Sequence, residues 1–170
     1  MKYHTAIFDL DGTLLDTLQD LADSTNYALA LHHLPTRTVE EVRRFVGNGV
    51  GLLIHRAVPE GTDEALEHQV LADFRAHYLV NMEHKTAPYP GVLELLDRLR
   101  AAGIRTAVVS NKFDGAVKGL CQAYFGDRVE VAIGESQGVA LKPAPANVVR
   151  ALAELGSHAE DAVYIGDSDV

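Results

Sequence analysis

Two aspartates, Asp9 and Asp11, close the apolar run near the start of this chain, and glycine and threonine follow at once in IFDLDGTLLDT, residues 7–17. Carboxylates repel one another and resist desolvation, so a pair of them beside an apolar strand needs a chemical reason. A divalent cation and a phosphoryl group supply one. Mg2+ prefers hard oxygen donors, keeps several waters, and takes one or two carboxylates plus substrate phosphate. A carboxylate also attacks phosphorus, and the resulting aspartyl-phosphate splits one hard displacement into two easier ones. The second carboxylate, protonated at the right moment, donates to the leaving oxygen and later takes a proton from water. Like charges side by side push their proton affinities apart, which lets a pair divide into nucleophile and acid.

Other residues fit the same chemistry. Ser110 and the backbone of Asn111 can hydrogen-bond phosphoryl oxygens, Lys142 can neutralise the charge that builds there, and Asp167 can join Asp9 and Asp11 around the cation. Lys112 stands beside Ser110 and Asn111, where it could reach substrate. Taken singly, each has an ordinary reading: D-x-D-G and Ser-Asn are turn chemistry, Asp167 a helix cap, and both lysines solvated surface. Their positions in the fold decide between the two.

YHTAIFD reads as a buried strand with a turn signal behind it, and IRTAVVS (residues 104–110) as another. Between them the pattern is helical. Leu14, Leu18, Leu21, Ala22, Thr25 and Leu29 make one apolar face, and Thr38 with Glu41 forms a capping box that starts a helix through Val46. VGNGVG breaks it; a short helix over 52–58 and a longer one over 63–82 follow. From Tyr89 the rhythm alternates: a helix stopped by Gly103, strand 104–110, a helix over 115–124, strand 129–134, a helix from Pro143 ended by Gly156, and a strand AVYIGD. Strands separated by helices of this length imply βαβ units and a parallel sheet. The expected fold is therefore α/β, a Rossmann-like doubly wound sheet built from residues 1–15 and 87–170, with an all-helical insertion over 16–86. In such sheets ligands bind at the carboxyl ends of the strands. Asp9, Asp11, Ser110, Asn111 and Asp167 all fall at those ends, with Lys142 in an adjoining loop.

Bulk properties narrow the partners. Of 170 residues, 47% are hydrophobic and 23% charged, as in ordinary globular proteins, and the net charge of -9 disfavours nucleic acid or an anionic membrane. A small phosphorylated metabolite stays compatible, because bound Mg2+ inverts the local charge. Cys121 is the only cysteine, which removes an internal disulfide and cysteine-based zinc and fits a reducing compartment. The eight histidines show no ligand pattern. No stretch nears the roughly 20 apolar residues of a membrane helix, and the N-terminus is a poor signal peptide. A cytoplasmic monomer or homodimer is expected.

DLDGTLLDT, the VVSNK strand end, LKPAP and YIGDSDV together resemble, in order and spacing, the four motifs of the haloacid dehalogenase superfamily. The resemblance spans the chain. It implies Asp9 as nucleophile, Asp11 as general acid/base, Ser110 as phosphoryl ligand and Lys142 as charge stabiliser. Mg2+ would be held by Asp9, Asp167 and the backbone carbonyl of Asp11. The helical insertion looks like the family's cap. Dehalogenating members lack the second aspartate, so Asp11 favours phosphoryl transfer, and Thr13 leans toward hydrolases and the phosphate-binding set. Within the superfamily, VGNGVGLLIHRAV (46–58) and YPGVLELLDRLRAAG (89–103) are most similar to phosphoglycolate phosphatases. Gly47, Asn48 and Gly49 would then offer backbone donors to substrate. Arg56 would bind a substrate carboxylate through its planar fork, the alternative being a packing arginine.

The resemblance also implies a second acidic residue four positions after Asp167, one beyond Val170, and a closing helix and strand. On that reading the chain is truncated after the fourth motif, and Asp169 has the wrong spacing to substitute. Two other functions share the same residues. A phosphosugar mutase of the β-phosphoglucomutase type would return glucose 6-phosphate from β-glucose 1-phosphate, where a hydrolase releases phosphate. A non-catalytic phospho-ligand binder would follow from a natural truncation.

Overall fold

Thr5, Ala6, Ile7 and Phe8 are all buried, which a strand achieves only when both of its faces are covered. In the computed structural model, which describes residues 3–168, they form β1 (Thr5–Phe8). A short β2 (Leu15–Asp16) follows, then helices α1 (Leu18–Leu31), α2 (Val39–Phe45), α3 (Val50–Ala57) and α4 (Glu64–Asn81). The chain then runs through β3 (Ala87–Pro88), α5 (Val92–Ala101), β4 (Arg105–Phe113), α6 (Asp114–Tyr124), β5 (Val131–Glu135), α7 (Ala146–Leu155) and β6 (Ala162–Ile165). It divides into two compact units, Met1–Asp16 with Ala87–Val170, and Thr17–Thr86. Asp169 lies outside the described residues.

In the first unit, four strands form a parallel sheet in the order β5-β4-β1-β6. The strand order turns back at β1, which has β4 on one side and β6 on the other, and such a reversal opens a crevice at the carboxyl ends. Ile7, Ala107, Val109 and Ile133 share one face with Ala151, Leu152 and Leu155 of α7. Their strand neighbours Ala6, Phe8 and Val108 point to the other face by the two-residue period and are equally buried. β1 and β4 are therefore covered on both faces, as their apolar runs require, whereas at the edge of the sheet Tyr164 and Ile165 of β6 are exposed. β2 and β3 pair antiparallel through Leu15↔Pro88 and Asp16↔Ala87, so the chain leaves and re-enters this unit on one small ribbon.

The second unit is helical. Thr38 caps α2 with the full capping box: its hydroxyl accepts from the Glu41 amide, while the Glu41 carboxylate accepts from the Thr38 amide. Asp63 caps α4 by accepting from the Ala65 amide. Val70, Phe74 and Tyr78 of α4 are buried with Leu21, Ala28 and Leu29 of α1, Val42 of α2 and Leu53 and Ile54 of α3. Asp20 is buried and accepts from the amides of Lys85 and Thr86 and from the Thr86 hydroxyl, tying the start of α1 to the chain after α4. Among the described residues no helix is long and apolar enough to cross a membrane.

Several boundaries differ from the sequence expectation. Leu14 is buried but not helical: the Leu10 carbonyl accepts from the amides of Thr13, Leu14 and Leu15, and this turn delays α1 to Leu18. The strand expected to stop at Ser110 runs on to Phe113, because its far end pairs with Glu135. α7 begins at Ala146 rather than Pro143, since a turn closed by the Ala144 amide on the Leu141 carbonyl occupies the preceding residues.

Candidate active site

β1 ends against the loop that carries both aspartates. The Asp9 amide donates to the Ile165 carbonyl at 2.9 Å, which ties the loop to the end of β6. Gly12 turns the chain with φ +78°, and a Cβ there would collide with the Asp167 carboxylate. A Cβ on Gly166 would lie 3.4 Å from the Asp9 Cβ. Gly12 thus lets the loop after β1 approach the end of β6 more closely than a side chain permits, while the Gly166 position is in ordinary contact with Asp9. Thr13 completes the junction, its hydroxyl donating to Asp167 Oδ1 at 2.8 Å and accepting from the Asp167 amide at 3.1 Å.

β4 supplies the opposite wall. Its register against β5 shifts between Val109 and Phe113, so Ser110, Asn111 and Lys112 lie on an irregular stretch, the kind of distortion that re-aims side chains beside a site. All three are buried. The Ser110 hydroxyl accepts from the Lys112 amide at 3.3 Å. The Asn111 carboxamide pairs with the Lys142 backbone in both directions, accepting from its amide at 2.8 Å and donating to its carbonyl at 3.2 Å. Asn111 therefore fastens the loop that carries Lys142.

Two lysines meet two aspartates. Lys142 Nζ lies 2.7 Å from Asp9 Oδ2, while Asp9 Oδ1 accepts from the Leu10 amide at 2.7 Å. Lys112 Nζ reaches both Asp11 oxygens, at 2.9 and 3.1 Å. The solvated-surface alternative for Lys112 fails, because its side chain is 1% exposed. The loop's compact turn brings Asp11 onto β4, and no spacing rule in the sequence signals that contact. Nothing in the sequence marks Tyr164 either, which reads as one more β-favouring strand residue. Its hydroxyl accepts from Lys142 Nζ at 2.6 Å and donates to the Val109 carbonyl at 3.2 Å. Burial, and then the negative charges of Asp9 and Asp167, push its phenol well above the usual value. Cys121 is buried as expected; burial and then the Asp11 charge push its thiol up to about 12, so it stays protonated and inert.

The first unit thus gathers Asp9, Asp11, Thr13, Ser110, Asn111, Lys112, Lys142 and Asp167 at one end of the sheet. Among the described residues no group of three or more His, Cys, Asp or Glu side chains stands ready to hold a metal ion. The donor set in question is different: two carboxylates, Asp9 after β1 and Asp167 after the neighbouring β6, and a backbone carbonyl. These are hard oxygens, few in number, which suits Mg2+ completed by water and substrate phosphate.

The chain matches the haloacid dehalogenase-like hydrolase family over residues 3–170. It belongs to that family. The phosphoglycolate phosphatase of Mesorhizobium japonicum is 37% identical over 166 residues, covering 95% of this chain and 73% of that protein. The phosphoglycolate phosphatase of Rhodospirillum rubrum is 36% identical, covering 95% and 70%. In structure, a candidate phosphoglycolate phosphatase from Lactobacillus delbrueckii subsp. bulgaricus superposes with a TM-score of 0.90 at 35% identity, over 99% of this chain and 80% of that one. CbbY from Rhodobacter sphaeroides, solved in complex with phosphate, superposes with a TM-score of 0.81 at 25% identity, over 98% and 78%. With these relatives the chain is a phosphoric monoester hydrolase of phosphoglycolate phosphatase-like type.

The remaining sequence candidates lie in the helical unit. Gly47 and Gly49 have φ of +127° and +86°, which ends the α2 segment and starts α3 with Gly49 as N-cap, and Asn48 between them is half-buried. Arg56 is exposed on the last turn of α3 and donates to the Phe45 carbonyl at 3.0 Å. It also lines a cavity of about 420 Å³ with Arg37, His55 and Glu67.

Proposed function

We propose that this chain is a Mg2+-dependent phosphatase of small organic phosphate monoesters, with phosphoglycolate the leading substrate, acting through an aspartyl-phosphate on Asp9. The observation that carries the reading is the Lys142 ammonium 2.7 Å from the Asp9 carboxylate, a positive charge set where a phosphoryl group would meet its nucleophile. The names of the relatives support the substrate.

On this reading an Asp9 carboxylate oxygen attacks phosphorus, the P–O bond to the glycolate oxygen breaks, and Asp11 in its protonated form gives that oxygen its proton. Asp11, now a carboxylate, then takes a proton from water. The water oxygen attacks phosphorus, the bond to Asp9 breaks, and phosphate leaves. Lys142, the Ser110 hydroxyl and the Asn111 amide receive the negative charge of the phosphoryl oxygens, and Thr13 holds Asp167 in place. Lys112, whose ammonium pairs with the Asp11 carboxylate, would release one of its oxygens when Asp11 takes up the proton from water. Asp9, Asp167 and the Asp11 carbonyl would hold Mg2+, which when bound neutralises phosphate charge and draws the substrate into line. Gly47, Asn48 and Arg56 would select the substrate, with Arg56→Lys expected to raise KM for phosphoglycolate and leave that for p-nitrophenyl phosphate unchanged.

The direct test is Asp9→Asn. Hydrolysis of phosphoglycolate and of p-nitrophenyl phosphate should fall by several orders of magnitude. A variant that works at the parent rate removes Asp9 as nucleophile and the mechanism with it.

A further inference from the structure

Tyr164 belongs to none of the roles above, yet its hydroxyl is the second partner of the lysine that carries the reading. Lys142 Nζ touches Asp9 Oδ2 at 2.7 Å and Tyr164 Oη at 2.6 Å, and lies 5.3 Å from the centre of the Tyr164 ring. Lysine is a point charge on a flexible four-carbon stem, and nothing intrinsic to it selects a direction. It has three N–H groups. With two of them directed at Asp9 and Tyr164, the tetrahedral nitrogen fixes the line of the third. The phenol is itself held, because its proton goes to the Val109 carbonyl at 3.2 Å, one residue before Ser110. Burial and the nearby carboxylates keep it protonated, so this donor bond persists. The backbone of Lys142 is fastened separately by Asn111. Backbone and side-chain tip of Lys142 are thus secured from two strands.

We propose that Tyr164 is a positioning residue that holds the Lys142 ammonium against Asp9, through a relay from Lys142 to the Tyr164 hydroxyl to the Val109 carbonyl. The proposal rests on the phosphatase reading for its catalytic consequence, though not for the contact itself. Tyr164→Phe is the informative variant, because it keeps the ring and deletes only the hydroxyl, with its bonds to Lys142 and Val109. A hydrogen bond to a charged group of this kind corresponds to about a tenfold effect on rate.

Two measurements test it. In steady-state hydrolysis of phosphoglycolate with Mg2+, Tyr164→Phe should lower kcat about tenfold with KM changed less than about twofold. In a Lys142→Ala background it should change kcat less than about twofold, since the group it positions is gone. Independently of turnover, the side-chain ammonium signal of Lys142 in 15N-lysine-labelled protein, assigned by its loss in Lys142→Ala, should shift or broaden in Tyr164→Phe. An unmoved signal overturns the proposal. So does a kcat loss of equal size in both backgrounds, which marks a merely structural residue, or a wild-type kcat in Tyr164→Phe. Lys142→Ala with wild-type kcat sinks the phosphatase reading and the catalytic role given to Tyr164, while the ammonium signal still decides the contact.

Discussion

Replacing Lys112 by Met tests the site without relying on turnover. The lysine side chain is 1% exposed and the Asp11 side chain 18% exposed, with two N–O contacts of 2.9 and 3.1 Å between them. Methionine fills much of the same volume and carries no charge. Lys112→Met therefore leaves the Asp11 carboxylate largely shielded from water and without its cation. Removing one partner of a buried pair costs about 3–5 kcal/mol, and the residual water contact of Asp11 puts this case near the lower end, about 3 kcal/mol. For a protein of this size that corresponds to a loss of about 6–12 °C in Tm. The double variant Lys112→Met with Asp11→Asn removes both charges and should recover most of the loss, giving a large coupling energy in the cycle. Thermal melts followed by circular dichroism, in EDTA to exclude bound metal, read all four proteins. A Tm for Lys112→Met within about 2 °C of wild type, or a double variant no more stable than Lys112→Met, would refute the buried-pair argument.

Gly12→Ala should disable the enzyme while leaving it folded: the new Cβ meets the Asp167 carboxylate at a backbone φ of +78°, so Mg2+ affinity in isothermal titration should fall at least tenfold. Phosphatase activity should vanish in EDTA and return on adding Mg2+; undiminished turnover in EDTA contradicts the metal assignment. His77 gives a pH test. Burial first, and then the charge of His84, hold its imidazole below the usual value, against an opposing pull from Asp23. The unfolded chain therefore binds more protons just below about pH 6.5, so the stability from His77 is full above that pH and fades as pH falls through the window. Replacing His77 by Gln should cost most in Tm above about pH 6.5 and progressively less below it; a constant deficit between about pH 8 and about pH 5 contradicts this.

Local chemistry made much of this protein legible in its sequence. The turn after β1 is written in Asp11, Gly12 and Thr13, because glycine takes the φ of +78° that the turn uses without steric cost. The capping box of Thr38 and Glu41 and the Asp63 cap mark two helix starts for the same reason: the partners are neighbours in the chain. The alternation of apolar strands with amphipathic helices implies a parallel sheet with helices packed on it. In such a sheet Asp9, Ser110 and Asp167 fall at the carboxyl ends of neighbouring strands.

What the tertiary structure alone decided are contacts between residues far apart in sequence. Lys112 looks like a solvated lysine until the irregular end of β4 is laid beside the loop after β1, 101 residues away, and its ammonium meets Asp11. Tyr164 looks like one more strand residue until β6 pairs with β1 and its hydroxyl reaches Lys142 across 22 residues. The α/β scaffold follows from periodicities of two and 3.6 residues, which any short window reveals. Which lysine faces which aspartate follows from strand register, and register exists only once the strands have been brought together.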